Sequence, residues 1–175
     1  MEGDRTPPAT KLALVGVLVL TATLVLVFPA AAGSERADPR TTGLFLATLT
    51  ALFALRVVGQ LVVRARAPRF LPPAEDWNLM PYRLLLPIQF AFLAVMVTVW
   101  AALLRDQGRP ADPSPGFGRA AVVLATIYAG AMVVRYAVRM ARRPEERWFG
   151  GTIPIVFHLV LASYVLVLGR FHASY

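Results

Sequence analysis

This sequence has no cysteine, a single lysine among eighteen cationic side chains, and no acid in any of its long apolar stretches. The missing thiol excludes disulfides, thiolate metal sites and cysteine nucleophiles. All ten acids (Glu2, Asp4, Glu35, Asp38, Glu75, Asp76, Asp106, Asp112, Glu145, Glu146) lie in tails and connections. That placement removes carboxylate acid–base chemistry and most ion coupling from the apolar interior, because coupled carriers place carboxylates near the membrane midplane.

What is present is apolar length. The chain has 175 residues, of which 57% are hydrophobic. A helix needs about 20 mostly apolar residues to cross a hydrocarbon core of roughly 30 Å. Five stretches qualify: Leu12–Ala32, Thr42–Val63, Leu84–Leu104, Ala120–Val138 and Gly151–Gly169. They predict an all-α integral membrane protein, a bundle of five transmembrane helices forming one transmembrane domain over residues 1–175. The tails and connections are too short for an independent soluble domain, which needs about 50 residues.

The formal charge is +8. Basic loops keep to the cytoplasmic side, so the charge is read as an orientation signal rather than as a nucleic-acid surface. By loop parity one side holds Arg5, Lys11, Arg64, Arg66, Arg69, Arg83, Arg139, Arg142, Arg143 and Arg147. The other holds Arg36, Arg40, Arg105, Arg109, Arg119 and Arg170. Ten against six predicts an inner-membrane protein with its N-terminus inside and its C-terminus outside. Lipids and other membrane subunits are the expected partners, and no nucleic acid.

The first apolar stretch ends in Phe28-Pro29-Ala30-Ala31-Ala32-Gly33, which has the form of a signal-peptide cleavage site. Its apolar run is long for a signal and Glu2 and Asp4 weaken the basic flank, so it is read as a retained helix. Small residues recur at helical spacing at Gly43, Ala47 and Ala51 and again at Ala121, Ala125 and Ala129. Such rows let helix backbones approach closely in lipid, within this chain or against a partner.

Residues Pro68–Tyr82 hold four prolines and a set of apolar and aromatic side chains that includes Trp77. Proline stops a long helix, and Trp and Tyr favour the membrane–water boundary. A short interfacial cytoplasmic segment is expected there, with partner docking through Trp77 as the sharper reading. Arg105–Arg119 reads as a Pro/Gly-rich loop. Pro154 is expected in the first turn of the last span, where its missing N–H is tolerated.

An ionisable residue at membrane depth is a functional hypothesis by default. Arg56 lies seven residues before Val63, about 10 Å along a helix axis. Gln60 and Arg64 follow on the same face. A guanidinium there can bind a lipid phosphate, an anionic ligand or a partner's carboxylate. The bland alternative is an arginine bonded to backbone carbonyls and to Gln89 inside the bundle. A counter-charge from outside the spans would come from Glu75 or Asp76, a ligand or another subunit. Arg135, four residues before Arg139, reads as an interfacial anchor. Gln89 follows Pro87 by two residues and can bond across a helix pair.

His158 is the one histidine inside a span. Imidazole is a common axial ligand for haem iron, and a chlorophyll-type pigment offers magnesium in the same way. His172 follows fourteen residues later, about 21 Å along a helix. That spacing is similar to the one membrane cytochromes b use for two stacked haems, but those need a second histidine-bearing helix. His172 is expected beyond the span, at the surface. The commoner state of such a histidine as His158 is a neutral ring hydrogen-bonded to a neighbouring helix.

Three functions follow from these residues. The first is a non-catalytic accessory subunit of a larger membrane complex, bioenergetic in context, packing against partner helices, lipids or pigments. The second is a small transporter or substrate-binding module for an anionic molecule through Arg56. The third is a membrane enzyme acting on lipids or isoprenoids with Glu75 and Asp76 as its acids.

Overall fold

The computed structural model describes residues 37–66, 81–142 and 152–175. These form four helices: α1 (Pro39–Arg66), α2 (Tyr82–Arg105), α3 (Pro115–Arg142) and α4 (Thr152–Ala173). There is no strand among the described residues. All four helices are long and apolar enough to cross a membrane. The described residues thus hold four candidate spans against the five expected. The remaining stretch, Leu12–Ala32, lies outside them, as does the expected interfacial segment up to Met80.

Each helix runs past the bounds its apolar residues suggested, for local reasons. Asp38 caps α1: its Oδ2 accepts from the Thr41 N–H and from the Thr41 hydroxyl, both at 2.8 Å. Pro39 then occupies the first helical position, where its fixed φ suits the helix. These bonds hold the Asp38 carboxyl below its usual range. Pro115 starts α3 in the same way, so Gly116 to Arg119 are helical and not loop as expected. The true turn is Asp106–Ser114. It begins with Asp106 in the left-handed region (φ 51°) and passes through Gly108 at φ 80°. Pro154 does stand in the first turn of α4.

The helices form a row in the order α2, α1, α4, α3, with successive neighbours antiparallel. The central pair is the more buried. Inside the spans 44% of α1 residues and 61% of α4 residues are buried, against 11% for each outer helix. The buried faces follow sequence spacing. On α1 they are Thr42, Leu46, Leu49, Phe53, Arg56, Gln60 and Val63, with Gly43, Thr50 and Val57 beside them. That is the broad stripe of a helix packed on two neighbours. On α2 the buried residues are Gln89, Met96 and Leu103, at seven-residue steps, a narrow seam towards the inner pair of helices. The core is aliphatic and aromatic: Leu46, Leu49, Phe53, Met96, Val160 and Phe171 are among its members.

Close approach is built with small residues. A Cβ at Gly43 would meet Leu104 Cδ2 at 3.0 Å, so α1 and α2 nearly touch there. A Cβ at Gly169 would meet the Val122 backbone nitrogen at 2.9 Å. Gly118 is pressed against Ala173 and His172. Ala121 and Ala125 are buried in the same seam. The small-residue row of α3 therefore serves this chain's own α3–α4 contact. On α1, by contrast, the row turns outward and Ala51 is exposed.

His172 lies inside α4, 4% exposed, and not at the surface as expected. Its Nδ1 accepts the Ser114 N–H at 3.3 Å, and its ring meets Phe117 and Phe171 edge-on at 5.0 and 5.1 Å. The helix continues past Gly169 because the α2–α3 turn folds onto its end and shields the imidazole.

Loop charge does not separate the two ends here. Arg64, Arg66, Arg83, Arg139 and Arg142 lie towards one end, and Arg40, Arg105, Arg109, Arg119 and Arg170 towards the other. The ten-to-six asymmetry is carried by residues outside the described set.

Candidate functional site

The antiparallel register brings polar residues of all four helices to one level. Arg56 of α1 is 7% exposed and its guanidinium carbon lies 5.5 Å from the Phe157 ring centre on α4. The face of an aromatic ring attracts a cation, by about 0.5 to 2 kcal/mol depending on desolvation. Next to Phe157, His158 turns to α3. Its Nδ1 lies 2.6 Å from the Tyr128 hydroxyl, with the rings edge-on at 5.9 Å. Either group can donate, depending on the imidazole tautomer. Arg56 and Arg135 both lie within electrostatic range of His158.

Gln89 completes the level from α2. Two contacts set the α1–α2 register: Gly43 packs on Leu104 at one end, and the Tyr82 hydroxyl reaches the Gln60 carbonyl at a long 3.5 Å at the other. Counting inward from both puts Gln89 level with Arg56 to within a turn. The α2 seam also faces α4, since the Tyr164 hydroxyl donates to the Met96 carbonyl at 2.9 Å. Gln89 is 3% exposed, and neither its Oε1 nor its Nε2 has a hydrogen-bond partner among the described residues.

Towards the helix end the cationic face continues. Gln60 is fully buried one turn beyond Arg56. Arg64 lies over the Tyr82 ring at 5.2 Å. The four helices contain no Asp or Glu. The arrangement is thus a positively charged polar layer with aromatic neighbours inside an apolar bundle.

Of the residues singled out in sequence, Arg56, Gln60, Gln89 and His158 fall together in or beside this layer. Trp77, Glu75 and Asp76 lie outside the described residues. Phe157 and the identity of Tyr128 as the partner of His158 were not anticipated, and Tyr82, expected to end the interfacial segment, instead opens α2. The only sequence signal for Tyr128 is its place seven residues before Arg135, which marks a helix face but not the neighbour it meets. His172 is taken up by the Ser114 turn, so the two histidines do not stand as a matched pair of free imidazoles. Among the described residues no group of three His, Asp or Glu side chains is placed to hold a metal ion.

No protein-family model, curated protein or solved structure matches this chain.

Proposed function

We propose that this chain is a non-catalytic accessory subunit of a larger membrane assembly, packing against partner helices and lipid. The observation that supports this reading is the open row: α2 and α3 stand at its two ends and, among the described residues, leave most of their apolar surface uncovered. Leu84, Ile88, Phe92 and Val95 on α2, and Val123, Ile127 and Val134 on α3, are all exposed. In lipid such faces suit acyl chains or another helix equally well, because association there is driven by packing. Two uncovered edges on one small chain favour a place between partners.

The reading includes a fifth span at Leu12–Ala32, an interfacial segment at about Pro68–Tyr82, and an N-terminus on the cytoplasmic side of the inner membrane. Bioenergetic context, with pigment or haem on a partner, belongs to the same proposal and rests on His158 alone.

The test is mass spectrometry of what co-purifies with the chain from its native membrane in mild detergent. A stoichiometric set of larger subunits is expected. Recovery of the chain alone, in each of several detergents, would overturn the reading.

A further inference from the structure

We propose that residues 12–32 pack as a helix along one face of α4, parallel to it, so that this face is filled by the chain itself and not by a partner. The inference rests on the fifth span included in the reading above.

Helix α4 has three faces by sequence spacing. Phe157 and Tyr164 share one, which meets Arg56 of α1 and the Met96 carbonyl of α2. His158, Gly169 and His172 share the second, which meets Tyr128 and Val122 of α3 and the Ser114 turn before it. Val156, Leu159, Ser163 and Leu166 recur at three- and four-residue steps and form the third. At 3.6 residues per turn it stands about 120° from each of the others.

Among the described helices α4 packs on α1 and α3 and touches α2 through Tyr164, all on the first two faces. The third face is nevertheless covered. Val156 is 2% exposed and Ser163 7%, and Leu159 and Leu166 are half-buried. Elsewhere in the row, apolar side chains that turn away from the neighbouring helices are open. Leu55 on α1 and Val95 on α2 are 61% exposed, and Ile127 on α3 is 66% exposed. No large apolar side chain of α4 is open in that way.

The cover at mid-span has to be helical, because irregular backbone facing hydrocarbon leaves its N–H and C=O groups unsatisfied. The connections 67–80 and 143–151 are interrupted by Pro68, Pro72, Pro73 and Pro144, and both join helices at the N-terminal end of α4. Residues 12–32 are the remaining apolar stretch long enough to cross the core. The point of entry agrees. The Ala37 N–H donates to Ser174 Oγ, and the Tyr175 hydroxyl donates to the Ala37 carbonyl, both at 3.3 Å. The chain leading into α1 is thus tied to the C-terminal end of α4. From Ala32 to Ala37 the backbone spans at most about 18 Å, and packed helices lie about 8–10 Å apart. A helix ending at Ala32 therefore ends beside the end of α4 and runs in the same direction. Its length is about 32 Å, against about 33 Å for the 22 residues of α4. With this face filled, α4 is the hub of the fold, and partner helices are left the outward faces of α1, α2 and α3.

The chain has no cysteine, so disulfide trapping needs no prior substitutions. Single cysteines at residues 17–27 are each combined with Ser163→Cys, an exchange of one small side chain for another. The full chain is oxidised in its native membrane, and disulfides are read by mass spectrometry of the digested protein. Yield is expected to peak every three to four residues. It should fall to background when Leu55→Cys or Ile127→Cys replaces Ser163→Cys. No pairing with position 163, or peaks with position 55 or 127 instead, would overturn the proposal. Disulfides at position 163 that link two chains would place a second copy on this face and overturn it as well.

Maleimide labelling of the single-cysteine chains separates this packing from the fifth span itself. Positions 17–27 shielded from maleimide but unpaired with position 163 would sink the packing and leave the span. Positions labelled from water would sink both. Neither result depends on whether partner subunits co-purify.

Discussion

The Tyr128 hydroxyl and the His158 Nδ1 lie 2.6 Å apart, and this bond joins the outer helix α3 to the inner helix α4. It stands one residue from Phe157, the ring that backs Arg56. The pair thus links the edge of the row to its cationic layer.

Tyr128→Phe removes the hydroxyl and leaves an imidazole nitrogen without its partner. Side-chain bonds between membrane helices are worth about 0.6 kcal/mol on average and up to about 1.7. A loss in that range is expected, read from unfolding in mixed micelles. A double-mutant cycle with His158→Phe should return most of it as coupling between the two sites. Additive effects would show that the bond contributes nothing.

Glycine at the α3–α4 seam is predicted to be more sensitive than glycine elsewhere on α3. A methyl group at Gly169 meets the Val122 backbone, and one at Gly118 meets the end of α4. Gly169→Ala and Gly118→Ala should each lower Tm, since overpacking costs about 1–3 kcal/mol. Gly116→Ala meets nothing within 4 Å. It should raise stability by up to about 1 kcal/mol through helix propensity. Equal effects at the three positions would contradict the close contact.

The Asp38 cap makes a prediction in pH. Its folded pKa lies below the ordinary value because the carboxylate accepts two bonds from Thr41. A depressed carboxylate pKa stabilises the fold above the unfolded value, and that stability is lost as pH falls through the folded one. Asp38→Ala should cost about 1 kcal/mol at neutral pH, as N-cap losses do. The difference from the parent should shrink below about pH 4. Asp38→Asn should keep most of the cap and show little pH dependence. Melting curves at pH 7 and pH 3 decide it.

His172 anchors the α2–α3 turn by accepting the Ser114 N–H. His172→Ala should release that turn and cost at least about 1 kcal/mol. Limited proteolysis within Gln107–Ser114 should become faster, with cleavage elsewhere unchanged. Unchanged cleavage at the turn would show that Phe117 packing alone holds it.

Four apolar helices and their places along the chain were legible in the sequence, because membrane insertion depends on apolar length and little else. So was the place of Arg56 and Gln89 within apolar helices, since a polar residue at depth stands out against an apolar background. The helix ends were not. Asp38, Pro39 and Pro115 extend the helices through capping, which hydropathy does not see. The order α2, α1, α4, α3 was also hidden, as was the common depth of Arg56, Gln89, His158 and Tyr128. Each helix carries its own stripe, but which stripes meet depends on where Gly43, Gly118 and Gly169 let backbones close. Those contacts link residues tens of positions apart, and their register alone decides that the buried Gln89 amide, the Arg56 guanidinium and the Tyr128–His158 pair share a depth.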